Sequence, residues 1–309
     1  MLSSSPSIAI VGAGAMGCLF AARLAEQGAR VTLIDVDRDR LAAIARDGVS
    51  LTDDNGARTL QVDAALAADV APVELLLLFT KGIHSGAAIR SVAHLAASKP
   101  IALTLQNGIG NADLLAESFG GEQVLMGTAH VPADLTGPSS VLTHGFGHLD
   151  VGGFTAAAHA FASSVAALLQ GAGFNTHVAD DINAAVWEKV AFNAALNATG
   201  MICEVPNAGL DNEPGRRLAE KVVDETVAVA AAQGISIDRA KIIATVDAAL
   251  REHAHHKASM LQDREHGRQT EIETINGAIA REGARLGVPT PVCDTLTDLV
   301  RIIEQAARR

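Results

Sequence analysis

At 309 residues, 49% of them hydrophobic, the chain carries enough apolar side chains for one large core or two ordinary ones, and two domains are expected. Its formal net charge of −11 speaks against a general affinity for nucleic acid or an acidic membrane surface and points to small-molecule partners, with room for a local basic pocket. The chain has no tyrosine, which excludes reductases that use a Tyr hydroxyl as proton donor.

The three cysteines, Cys18, Cys203 and Cys293, lie far apart with no C-x-x-C pair. They signal neither a disulfide framework nor a zinc cluster, and they are too few for a zinc alcohol dehydrogenase with catalytic and structural metals. No metal is expected, and a reducing cytoplasm suits the thiols. The opening "MLSSSPS" has no Lys or Arg ahead of its apolar segment, and residues 8–22 are too short and too glycine-rich to span a membrane, so no targeting signal is read.

In chain order, "IAIVG" at 8–12 reads as a buried strand ending at glycine. A helix over 16–27 follows, stopped by Gly28, then a second strand at 30–35. Residues 41–48 read as helix and 49–62 as a hairpin turning at Asn55-Gly56. Buried strands at 74–80 and 100–106 alternate with helical segments at 85–97 and 112–119, the sequence form of a parallel, doubly wound sheet. Over 123–153 short strands with Gly and Pro turns predict an antiparallel extension, and a helix at 156–171 and a strand at 175–178 complete the half. After Asp180-Asp181 the patterns are helical to the end. The expected organisation is a Rossmann-type α/β domain over 1–180 and an all-helical domain over 181–309.

"GAGAMG" sets Gly12, Gly14 and Gly17 in G-x-G-x-x-G spacing, with Ala15 and Met16 opening the helix. The first glycine permits the tight turn, the second lets a diphosphate approach the backbone, and the third lets helix pack on strand, while the helix N-terminus offers amide donors. The strand before, the helix after and Asp35, 23 positions beyond Gly12, agree on a nucleotide site.

Within "DDINAAVWEKVAFNAALNATG", 180–200, Lys189, Asn193 and Asn197 are four apart and share a helix face. Apolar residues occupy nearly every other direction, so this narrow polar line is read as facing a cleft rather than open water. A second polar cluster, 258–277, contains Ser259, Asp263, Glu271 and Asn276. One unbroken helix would hold Ser259 and Glu271 about 18 Å apart, so a break at Gly267 is expected. The imidazoles of "HAHH", His253, His255 and His256, fit no zinc spacing and read as an exposed helix face.

With "GAGAMG", "TKGIHS" around Lys81, "QNGIGN" around Asn107, "WEKVAFNAALNATG" around Lys189, and "SMLQD" followed by "TEIETING", the chain resembles the ketopantoate reductase (2-dehydropantoate 2-reductase) family nearly end to end. The resemblance implies an N-terminal Rossmann domain, a helical C-terminal domain, an active site in the cleft between them, and a homodimer. It implies that Lys189 protonates the carbonyl oxygen as hydride arrives from a nicotinamide, turning ketopantoate into pantoate. It makes Glu271 the acid that bonds the substrate hydroxyl, Ser259 a substrate-carboxylate contact, and Asn193, Asn197 and Asn207 pocket residues. Lys81 and Asn107 stand beside the cofactor, Asn107 and Glu271 serving both substrate and cofactor.

Members of the family commonly carry an arginine near the end of the second strand for the 2′-phosphate of NADP(H). Here Asp35 stands instead; a carboxylate accepts a ribose 2′-hydroxyl and repels a phosphate, so NAD(H) is the expected cofactor. Arg38 and Arg40 lie just beyond and leave NADP(H) open. NAD-using relatives with the same Lys and Glu logic are D-2-hydroxyacid dehydrogenases, an alternative reading for this 2-oxo acid site. A more distant one, a β-hydroxyacid dehydrogenase, is opposed by the Ser259 and Glu271 segment, and a non-catalytic NAD sensor by the presence of Lys189 with Glu271.

Overall fold

The computed structural model describes residues 2–145 and 147–307; the last two residues of the helical region expected to run to 309 lie outside it. Backbone packing divides the chain into two units, Met1–Gln106 with Asn111–Ile182, and Asn107–Gly110 with Asn183–Arg309.

In the first unit the alternating apolar runs become strands because each is short, β-branched or leucine-rich, and closed by a turn. In order they are β1 (Ser7–Val11), α1 (Ala15–Glu26), β2 (Arg30–Ile34), α2 (Arg38–Asp47), β3 (Val49–Asp53), β4 (Gly56–Leu60), β5 (Asp63–Ala65), β6 (Leu75–Leu78), α3 (Ser85–Ser91), β7 (Ile101–Thr104), α4 (Asn111–Phe119), β8 (Val124–His130), β9 (Asp134–Gly137), β10 (Ser140–Leu142), β11 (His148–Gly153), α5 (Ala162–Gly171) and β12 (Asn175–Val178). Eight strands form one sheet in the order β12-β11-β8-β7-β6-β1-β2-β5. All its pairings are parallel except β8 with β11. The order reverses at β1, whose neighbours are β2 on one side and β6 on the other, and this is where doubly wound sheets bind ligands.

The residue 49–62 hairpin forms as expected at Asn55-Gly56, but it does not join the main sheet. With β9 and β10 it makes a separate four-stranded sheet, order β4-β3-β10-β9. The helix expected over 85–97 is two pieces, α3 and a 3₁₀ stretch, Ala93–Ser98, that closes on Lys99 in the left-handed region. β1 and β6 are buried on both faces, the core cluster taking Ile8, Ile10, Leu75 and Leu77 of one face together with α1, where Phe20 is stacked on Phe174 at 4.2 Å between ring centroids.

The second unit is helical: α6 (Ile182–Cys203), which starts at the unit boundary, α7 (Asn207–Leu210), α8 (Glu213–Ala232), α9 (Arg239–Glu252), α10 (Ser259–Glu265), α11 (Asn276–Leu286) and α12 (Pro291–Ala307). Asn212 caps α8 and Asp238 caps α9 by accepting the first free backbone N–H groups. At α12 the cap is borrowed: the Glu225 carboxylate on α8 accepts from Val292 N and Cys293 N, each at 2.8 Å. The break expected at Gly267 is present, with φ at +65°, and the chain between α10 and α11 is an irregular loop. Trp187, Val190, Leu196, Val222, Ile275 and Ile279 anchor this unit's own core.

Candidate active site

In the first unit the glycine loop joins β1 to α1 at the point where strand order reverses. Gly12 takes φ +105°, and a Cβ there would lie 2.8 Å from Thr80 N. A Cβ on Gly17 would lie 1.9 Å from Gly12 O, so α1 sits against the turn at a distance only glycine allows. A Cβ on Gly14 would meet nothing within 4 Å, which leaves this stretch of backbone, with Ala15 and Met16 following it, approachable by a ligand.

Asp35 stands at the end of β2. Its Oδ2 accepts from Ala13 N at 2.7 Å, and its Oδ1 from Val36 N at 2.7 Å and Asp37 N at 3.0 Å. A carboxylate has about four acceptor positions, so three are used and one is left for a further donor. Arg40 folds back across the start of α2 and donates from Nη1 to Ala13 O at 3.1 Å, while its Nε lies 3.6 Å from Asp37. Arg38 is exposed.

The C-terminal ends of β6 and β7 are tied by side chains that the sequence motifs contain but that sequence reasoning passed over. Gln106 donates from Nε2 to Thr80 O and, at 2.9 Å, to Ser85 Oγ, and Ser85 Oγ donates to Asn111 Oδ1 at 2.9 Å. Lys81, half-buried, leads out of this network into the turn before α3. The spacing of Gln106 just after an apolar run, with Ser85 just after a glycine turn, is the signal that strand-end residues were available.

In the second unit Lys189 and Asn193 are half-buried on α6, and Asn197, one turn further, is buried. Asn197 donates from Nδ2 to Ser259 Oγ at 3.3 Å, joining the polar stripe to the start of α10. Burial pulls the Lys189 ammonium down to about 8 from its ordinary value, with the Glu271 carboxylate pulling the other way. Glu271 itself is held by Asn107, whose Nδ2 donates to its Oε2 at 3.1 Å.

The short segment Asn107–Gly110 belongs to this unit although the chain on either side does not. It is fastened by Ile109 N donating to Thr274 O at 3.0 Å and by Gly108, whose φ is +91° and whose Cβ, if present, would be 2.2 Å from Thr274 O. Five of the residues singled out in the sequence, Lys189, Asn197, Ser259, Glu271 and Asn107, are thus set on this unit's α6, α10 and two adjoining loops. Thr274 and Gly108, which align them, were not singled out.

Asn207 is placed differently. It is buried, and its Nδ2 donates to Ala249 O and His253 O, both at 3.2 Å, closing the C-terminal turn of α9. That bonding commits its amide hydrogens to the helix end. Asn276 likewise donates from Nδ2 to Ala194 O at 3.1 Å inside the core. His253, His255 and His256 are exposed at the end of α9.

A doubly wound sheet with a glycine loop at its switch point, followed by a helical unit bearing a half-buried lysine and its carboxylate partner, defines an oxidoreductase of Rossmann architecture. Residues 8–156 match the family model described as ketopantoate reductase PanE/ApbA and residues 181–304 its C-terminal counterpart, and the chain belongs to this family. A 2-dehydropantoate 2-reductase of Halobacterium salinarum is 33% identical over 302 residues, covering 96% of this chain and 99% of that protein. The solved structure of D-mandelate dehydrogenase with NADH and anilino(oxo)acetate is similar with a TM-score of 0.93 and 31% identity, over 98% of this chain and 100% of the other. A PanE/ApbA family ketopantoate reductase from Ralstonia eutropha JMP134 is similar with a TM-score of 0.90 and 30% identity, over 98% and 100%.

Proposed function

We propose that the chain reduces a small 2-oxo acid to the corresponding 2-hydroxy acid at the expense of NADH, with Lys189 as the proton donor. The observation that carries this reading is the half-buried Lys189 ammonium, lowered to about 8 beside a carboxylate that Asn107 holds in place. Negative charge develops on a ketone oxygen as hydride adds to its carbon, and an adjacent ammonium both stabilises that charge and supplies the proton. Glu271 favours the charged form of the lysine and, in this reading, bonds the substrate hydroxyl. Asn193, Asn197 and Ser259 supply neutral donors for the substrate carboxylate.

The residues of the first unit fit a nicotinamide dinucleotide. Gly12, Gly14 and Gly17 with the first turn of α1, Ala15 and Met16, present backbone to a diphosphate, and Asp35 keeps one acceptor position for a ribose hydroxyl. Lys81 adds a cation near the strand ends. When bound, the reduced cofactor supplies the hydride. Arg40 is committed to Ala13 O and Asp37, which supports NADH over NADPH, because a 2′-phosphate would meet the Asp35 carboxylate first.

Ketopantoate is the substrate the curated relatives' names support. A second reading, a D-2-hydroxyacid dehydrogenase, is favoured by Asp35 and by the likeness to the NADH-bound D-mandelate dehydrogenase. The two separate in one experiment: loss of reduced-nicotinamide absorbance with NADH and NADPH across ketopantoate, phenylglyoxylate and branched 2-oxo acids. We expect kcat/KM at least about tenfold higher with NADH, ~1.4 kcal/mol of discrimination. Ketopantoate as best substrate supports the first reading, and phenylglyoxylate or a branched acid the second. A preference for NADPH refutes the role given to Asp35, and no turnover with any acid refutes the enzyme reading in favour of a nucleotide-binding sensor.

A further inference from the structure

Far from the glycine loop, the outer strands of the eight-stranded sheet carry imidazoles and a carboxylate that the proposed reaction does not use. His148 and Asp150 are two apart on β11 and so project from the same face. β12 runs parallel to β11 with His177 paired against Asp150, and β8 runs antiparallel on the other side with Thr128 against Asp150 and His130 against His148. The opposite face is closed by buried Leu149, Val151 and Thr176, so the polar set cannot turn inward. One ligand atom each from His148, Asp150 and His177 falls within 4.8 Å of the others. The His148 and His177 rings are 4.9 Å apart, and His148 Nε2 lies 3.0 Å from Asp150 Oδ1.

We propose that His148, Asp150 and His177 form a surface site for a divalent transition-metal ion of the zinc class, bracing the edge strand β12 against β11. Around a tetrahedral ion with bonds of about 2.0–2.1 Å, ligand atoms stand about 3.3 Å apart. Side-chain rotations of roughly an ångström bring these three to that spacing without moving the strands. Two imidazoles and one carboxylate are the donor set such ions take, with water completing the sphere and the His130 ring, 6.3 Å from that of His148, next in reach. The carboxylate is already oriented: buried Thr128 donates from Oγ1 to Asp150 Oδ2 at 3.1 Å and turns the other oxygen toward the imidazoles. The site is four strand positions from β1, roughly 19 Å of sheet, so the ion is structural and takes no part in hydride transfer. Asp150 and His177, two and 29 residues beyond His148, make no sequence motif with it, since only strand pairing brings them together.

The test is calorimetric titration of the full chain with Zn²⁺, together with its thermal midpoint with and without the ion. One ion per chain and a midpoint rise of about 2 °C or more are expected. His177→Ala, whose exposed side chain lies outside the core, should weaken binding at least tenfold and abolish the rise while leaving the metal-free midpoint within about 1 °C. The double variant His255→Ala/His256→Ala should bind as the parent does. No binding at about 100 µM Zn²⁺ overturns the site, as does binding that survives His177→Ala and disappears in the His255/His256 variant, which would place the ion on the exposed histidines at the end of α9.

Discussion

Lys189 is where burial and charge act in opposite senses, and the outcome is readable in pH. With its ammonium at about 8, Lys189 in the proposed role of proton donor would hold its proton below that value and lose it above, so kcat/KM for 2-oxo acid reduction should be level toward neutral pH and fall as pH rises through about 8. The same shift bears on stability. Folded, the group titrates at about 8; unfolded, at its ordinary 10.5. Below 8 both states hold the proton and the folded state carries the full cost of the buried ammonium. Between about 8 and 10.5 the unfolded chain holds more protons, so stability rises with pH there. Lys189→Met should therefore lower kcat by about 10²–10⁴ and raise the thermal midpoint at neutral pH by about 2 °C or more. A variant that loses turnover and stability together would make Lys189 a structural residue. Sequence periodicity placed Lys189, Asn193 and Asn197 on one face, but could not say that Asn207 closes a helix end, because an asparagine amide serves a substrate or a backbone carbonyl with equal chemistry.

At the scale of elements, what aligns the site is the loop after β7. Gly108 lets this loop approach the chain before α11 closely enough for Asn107 to reach Glu271. Gly108→Ala should cost about 2 kcal/mol or more and reduce turnover by about tenfold, because a methyl 2.2 Å from Thr274 O forces the loop away. Gly110→Ala is the comparison: its φ is +92° but nothing lies within 4 Å of the added Cβ, so only backbone strain of about 1–2 kcal/mol is expected and turnover should persist. Denaturant melts and steady-state kinetics on the pair check both. Strand and helix positions were largely legible at this scale, since alternation, apolar runs and glycine stops are local. The separate small sheet was not, because parallel pairing of β3 with β10 joins residues about ninety positions apart.

For the whole molecule, a net charge of −11 sets a field that opposes an anionic acid approaching from solvent. Salt shortens that field from a Debye length of about 30 Å at 0.01 M to about 8 Å at 0.15 M. On this ground kcat/KM for the 2-oxo acid should rise by about twofold over that range of ionic strength. A fall would mean that Lys189 and its neighbours already dominate the field a substrate meets. Taken alone, the sequence determined the class: hydrophobic periodicity, the glycine spacing after β1 and the long helical tail are properties of neighbouring residues, and they sufficed for a Rossmann-type unit followed by helices. Tertiary structure decided what those residues are used for. Only folding brings Asn107 to Glu271, 164 positions away, leaves Asp35 one open acceptor, and gathers His148, Asp150 and His177 on one sheet face, because such juxtapositions come from chain crossings that no local pattern encodes.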